Sequence, residues 1–106
     1  METPIAVRRM IEATNAGDSN AFVDAFTDDA YLEDWGREFR GRAGVARWNE
    51  SDNIGKNAHF EATGTVERDG GYIVTLVVTG DGFNGTSDIA FEVEDDRIRS
   101  MIISAD

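Results

Sequence analysis

The chain has 106 residues, enough for one domain with its own core and too few for a second. Its 21 acidic side chains against 10 basic ones give a formal charge of -11, which repels phosphate backbones and anionic lipid surfaces, so neither nucleic acid nor a membrane is expected as a partner. Cysteine is absent, which removes disulfides, thiolate metal sites and a cysteine nucleophile; Met1-Glu2-Thr3-Pro4 leads into an amphipathic segment with no apolar run of signal or membrane-span length, so the expected location is cytoplasmic.

Thr3 and Pro4 read as the N-cap and first position of a helix. In it Ala6, Met10 and Ala13, and Val7, Ile11 and Thr14, recur at helical spacing until Gly17 stops the run. Asp18 or Ser19 caps a shorter second helix with Phe22 and Phe26 one turn apart, ending near Asp28. Ala30 to Trp35 reads as a strand that turns at Gly36-Arg37 and returns through Phe39. Gly41 then opens a third helix, where Val45 and Trp48 share a face before Asn53, Gly55 and Asn57 break it.

From there on the chain reads as strand and turn. Phe60, Ala62, Gly64 and Val66 alternate with polar neighbours, and Asp69-Gly70-Gly71 turns the chain into Tyr72 to Thr79. After a glycine-rich loop, Ile89, Phe91 and Val93 alternate, Asp95-Asp96 turns, and Ile98, Met101, Ile102 and Ile103 form the last strand. The expected architecture is α+β over residues 1–106: three N-terminal helices on one face of a curved antiparallel sheet, an early hairpin plus a four-stranded meander, enclosing a conical pocket. Gly64 is placed to supply a bend.

Leu32 and Asp34 share a strand face, which puts a carboxylate where an apolar side chain would normally go. Such a group is either hydrogen-bonded scaffold, paired with a backbone or with Arg37 or Arg40, or a working acid-base group. The apolar faces of all three helices must meet the concave sheet face, so Met10, Phe22, Phe26, Leu32, Val45, Trp48 and Leu76 are expected around one cavity with Asp34 at its wall, and Trp35, Phe60 and Phe91 are further candidate ligand contacts. The expected ligand is small and largely apolar, polycyclic or ketone-bearing. His59, the only histidine, alternates onto the polar face, and one histidine offers too few ligands for a metal site, so no metal or other cofactor is expected. Gly80-x-Gly82-x-x-Gly85 has dinucleotide spacing but opens no helix and fails that context. Tyr72 to Thr79 carries apolar residues on both faces, which predicts a homodimer packed through the outer sheet face.

Asn15-Ala16-Gly17-Asp18, Phe26-x-Asp28-Asp29-Ala30, Glu33-Asp34, Gly36, Gly41 and the helix with Val45 and Trp48 resemble the nuclear transport factor 2-like superfamily, in its ketosteroid isomerase-like and SnoaL-like branch. The likeness covers nearly the whole chain and implies the cone fold. In ketosteroid isomerase an Asp base moves the proton, while a Tyr and a protonated Asp hold the oxyanion. The resemblance implies Asp34 as the base. It places the tyrosine at Met10, which has no hydroxyl, and the second acid at Asp88 if the final hairpin aligns without a gap; a one-residue gap in the Asp95-Asp96 turn puts Ile89 there instead. Two activities fit the branch: a cofactor-independent isomerase or cyclase that removes a proton next to a carbonyl, or a binding module that holds an apolar metabolite or partner without chemistry.

Overall fold

Helix α1 (Ile5–Ala16) buries Ala6, Val7, Met10, Ala13 and Thr14 and ends at Gly17, whose φ of 69° closes the helix in the left-handed region. These come from a computed structural model, which describes residues 2–105; Met1 and Asp106, the two ends of the expected domain, lie outside the described residues. Pro4, rather than Thr3, occupies the N-cap, and the Thr3 hydroxyl instead pairs with that of Thr65 at 2.7 Å. Asp18 caps α2 (Ser19–Asp24) by accepting from the Ala21 N–H at 3.0 Å.

Helix α2 stops at Asp24, four residues before its expected end, because β1 (Phe26–Asp34) already pairs with the last strand at Phe26, opposite Ile98. Sheet pairing overrides the one-turn spacing of Phe22 and Phe26, yet the rings still meet with centroids 5.2 Å apart. β1 turns into β2 (Arg37–Arg40) through Trp35 and Gly36, both at positive φ (51° and 84°), one residue earlier than the spacing predicts. That pair of signs is a two-residue type I′ hairpin. Helix α3 (Gly41–Asp52) and a 3-10 segment (Ile54–Lys56) follow.

The remaining strands are β3 (His59–Arg68), β4 (Gly71–Thr79), β5 (Gly85–Glu94) and β6 (Arg97–Ile103). The six strands form one sheet in the order β2-β1-β6-β5-β4-β3. Every neighbouring pair is antiparallel except β1 and β6, which run parallel, and β2 and β3 leave the sheet open at its edges. This is the expected α+β cone, with three helices packed on the sheet.

One strand departs from simple alternation. Register shifts between Ala62 and Gly64, so the expected inward set of β3 reverses beyond it: Thr65 is buried and Val66 is 57% exposed. A bulge adds one residue and changes which face each later side chain takes, and it falls at the glycine predicted to bend the strand. Between helices and sheet lies the core, in which Met10, Phe22, Phe26, Leu32, Val45, Leu76 and Phe91 are essentially inaccessible.

Candidate functional site

Asp34 and Arg37 flank the Trp35-Gly36 turn and are opposite each other in the β1–β2 register, so the hairpin itself sets an acid beside a base. Arg37 Nη2 donates to Asp34 Oδ2 at 2.7 Å. The same guanidinium reaches α3, where Nη2 donates to Asp52 Oδ2 at 2.6 Å and Nη1 to Asp52 Oδ1 at 3.3 Å. From α3 as well, Trp48 Nε1 donates to Asp34 Oδ2 at 2.8 Å, and its ring stacks on Phe22 with centroids 6.0 Å apart.

Both donors thus use Oδ2, and among the described residues Asp34 Oδ1 accepts no hydrogen bond. The side chain is 15% exposed. Half of this carboxylate is hydrogen-bonded scaffold, as pairing with Arg37 allows, and its other oxygen is without a hydrogen-bond partner among the described residues.

Arg37 holds Asp52 below its ordinary carboxylate value of 3.8, helped by a hydrogen bond from Ser51 and opposed by partial burial. Asp52 in turn raises the guanidinium, against desolvation. A carboxylate depressed on folding contributes stability above its unfolded value and loses it as pH falls through the folded one. The stability difference between wild type and Asp52→Asn is therefore expected to be full above about pH 4 and to shrink steadily below it, read as urea midpoints across pH. A difference that stays constant down to pH 2 would contradict the pairing.

The cavity beside this cluster has a volume of about 210 Å³, and its walls are mainly apolar: Trp48, Ala58, Phe60, Val78, Ile89 and Ile103. Strand register explains why Asp34 joins them. Asp34 is level with Ile103 on β6, and Ile103 with Ile89 on β5. Trp35 and Phe83, 59% and 51% exposed, stand at the mouth, and Ser51, Asp52, Asn53, Lys56 and Ser87 add polar groups.

Of the sequence-predicted residues, Asp34, Trp35, Trp48 and Phe60 come together at this cavity. Met10, Phe22, Phe26, Leu32, Val45, Leu76 and Phe91 do not line it; they are the packed core beneath it. So small a cone is filled at its narrow end, and the space that remains lies at the rim, where Asp34 sits one alternation beyond Leu32.

Asp88 is corrected. It lies on the outer face of β5, exposed, accepting from the Thr75 hydroxyl at 2.7 Å, while Ile89 takes the inward place. Ser87, opposite the buried Leu76, shares the inward face with Ile89, and the sequence reading missed it although the same alternation that favours Ile89 selects it. Phe83, Asn53 and Lys56 were missed because they lie on loops and a 3-10 turn, where periodicity gives no orientation. Among the described residues no cluster of three or more His, Asp or Glu is arranged for a metal ion, and no helix is long and apolar enough to cross a membrane.

Fold and pocket define a cone-shaped α+β domain with the nuclear transport factor 2-like fold. The chain belongs to the SnoaL-like domain family, which matches residues 7–101. Among solved structures it is similar to a candidate polyketide cyclase from Sinorhizobium meliloti (24% identity, TM-score 0.85, 96% of this chain and 95% of that one). It is also similar to the Δ5-3-ketosteroid isomerase of a Mycobacterium species (16% identity, TM-score 0.81, 98% and 95%). A third is RV0760c from Mycobacterium tuberculosis in complex with estradiol-17β-hemisuccinate (14% identity, TM-score 0.79, 96% and 92%). At these identities the likeness is one of fold. No curated protein sequence matches the chain.

Proposed function

We propose that the domain binds a small, largely apolar, ketone-bearing molecule in the cavity beside Asp34 and that Asp34 removes a proton from the carbon next to the carbonyl. The observation that carries this reading is a carboxylate with one oxygen fixed by Trp48 and Arg37 and the other free, on the wall of an apolar cavity. Oδ1 takes the proton, the electron pair of the broken C–H bond moves into the enolate, and the resulting carboxylic acid returns the proton to another carbon. Charge developing on the carbonyl oxygen falls to the Ser87 hydroxyl or to water at the mouth. The steroid derivative held by RV0760c supports an apolar ligand in a cone of this shape. Incubating the protein with a panel of cyclic ketones in deuterium oxide and following loss of the α-proton signal tests the chemistry.

A second reading has an observation of its own. Met10 is wholly buried and brings no hydroxyl, and Asp88 faces outward, so neither oxyanion group of ketosteroid isomerase has a counterpart in the cavity. Binding without turnover follows if no donor replaces them, and the ketone panel would then show saturable binding and no exchange.

Assembly belongs to the same proposal: two copies pack through the outer sheet face in a cytoplasmic homodimer. Ile73, Val77, Ala90 and Ile102 are half-buried on that face, where no helix covers them. Sedimentation at micromolar concentration is expected to give twice the chain mass of 11.6 kDa. Monomer alone would contradict it.

A further inference from the structure

Resting on the reading of the cavity as a ligand site, we propose that its ligand carries a carboxylate and that Lys56 receives this head group at the rim. Lys56 is the only lysine in the chain, and it lines the cavity. Six arginines, Arg37, Arg40, Arg42, Arg68, Arg97 and Arg99, lie within 4.0 Å of a carboxylate. Among the described residues Lys56, Arg8, Arg9 and Arg47 make no such pair, in a chain where acids outnumber bases 21 to 10, and of these four only Lys56 lines the cavity.

Local geometry explains why it stays uncommitted. Its backbone carbonyl accepts from the Asp81 N–H at 2.8 Å, which docks the 3-10 segment on the Gly80–Gly85 loop. Asp81, an acid on that facing loop, is taken by Asn57, whose Nδ2 donates to Oδ2 at 2.8 Å. Asp52 feels the ammonium charge, but its two oxygens are already bonded by Arg37. Arg37 is divided between Asp34 and Asp52. An anion entering the mouth therefore meets one cation without a partner, and the formal charges of Asp34, Arg37, Asp52 and Lys56 cancel in a protein of net -11.

The rest of the cavity fixes the ligand's other end. Its volume of about 210 Å³ exceeds the ~150 Å³ of an engineered apolar cavity that admits benzene, so it takes a body of one or two rings against Trp48, Phe60, Val78 and Ile89. Apolar body and anionic head together describe an aromatic or alicyclic carboxylic acid. A charge-assisted hydrogen bond on an ammonium that is not already paired gives it an advantage over a neutral ligand of the same shape.

Calorimetry with 2-naphthoate and 2-naphthamide, equal in ring system and different in charge, tests this on the full chain. Wild type is expected to bind the carboxylate about tenfold tighter than the amide, with the preference falling as salt is raised. Lys56→Met, which keeps an unbranched stem, should erase the preference of carboxylate over amide, and Lys56→Arg should restore it. Equal binding of the two probes by wild type, or a preference that survives Lys56→Met, overturns the role of Lys56 and leaves the apolar pocket standing. Binding of neither probe overturns both.

Discussion

Asp34→Asn is expected to slow α-proton exchange in any ketone the protein turns over by a factor of about 10²–10⁴, the usual contribution of a positioned general base. The substitution is close to silent in shape. The amide oxygen can take the place of Oδ2 and accept from Trp48 and Arg37, and the amide nitrogen replaces the free Oδ1, which then offers a proton and can no longer accept one. Arg37 keeps Asp52, so the hairpin and α3 stay joined. Folding should be intact, and apolar ligands should bind equally or more tightly because an ionised group has left the cavity wall. Exchange that is equal in the two proteins, or absent from the wild type with ketones it demonstrably binds, would remove the base and leave the binding module.

The largest effect on stability is expected at Phe22. It is fully buried between Phe26 on β1 and Trp48 on α3, with centroids at 5.2 and 6.0 Å. Phe22→Ala should cost about 3–5 kcal/mol in urea denaturation, a large share of the roughly 5–15 kcal/mol that holds a domain of this size. Trp48 would lose the ring it stacks on, so its bond to Asp34 should weaken as well. A cost below about 1 kcal/mol would contradict the packing described, since loss of a buried aromatic ring cannot be that cheap in a filled core.

What the sequence reveals follows from periodicity. Helices α1 and α3, the inward set of β5, and the cone formed by helices on a curved sheet are legible, because 3.6- and 2-residue repeats specify a face; the parallel pairing of β1 with β6 is not. The pairing of Asp34 with Arg37 is foreseen as one alternative, and the two-residue turn between them makes it real.

Three things escape periodicity. Helix α2 is shortened by pairing of Phe26 with Ile98, seventy-two residues later, which no local repeat encodes. Val66 is displaced to the surface by a bulge, which changes phase without changing composition. The cavity's position depends on the volumes of side chains meeting in the cone, so residues named as its lining, Met10 and Leu32 among them, prove to be core. For Asp88 the two signals disagreed, alignment pointing in and alternation pointing out, and the physical one holds.

If a ligand sits in the cavity beside Asp34, as proposed, the two tryptophans report it directly. Trp48 and Trp35 are the only indoles in the chain, and both line the cavity, Trp48 with its N–H on Asp34. In a nitrogen-15 spectrum of the protein titrated with 2-tetralone, both indole N–H signals are expected to move saturably with one dissociation constant, that of Trp48 the further. Saturable shifts elsewhere with both indole signals fixed, or no saturable shift in titrations with any small apolar ketone, would rule out a ligand site in this cavity.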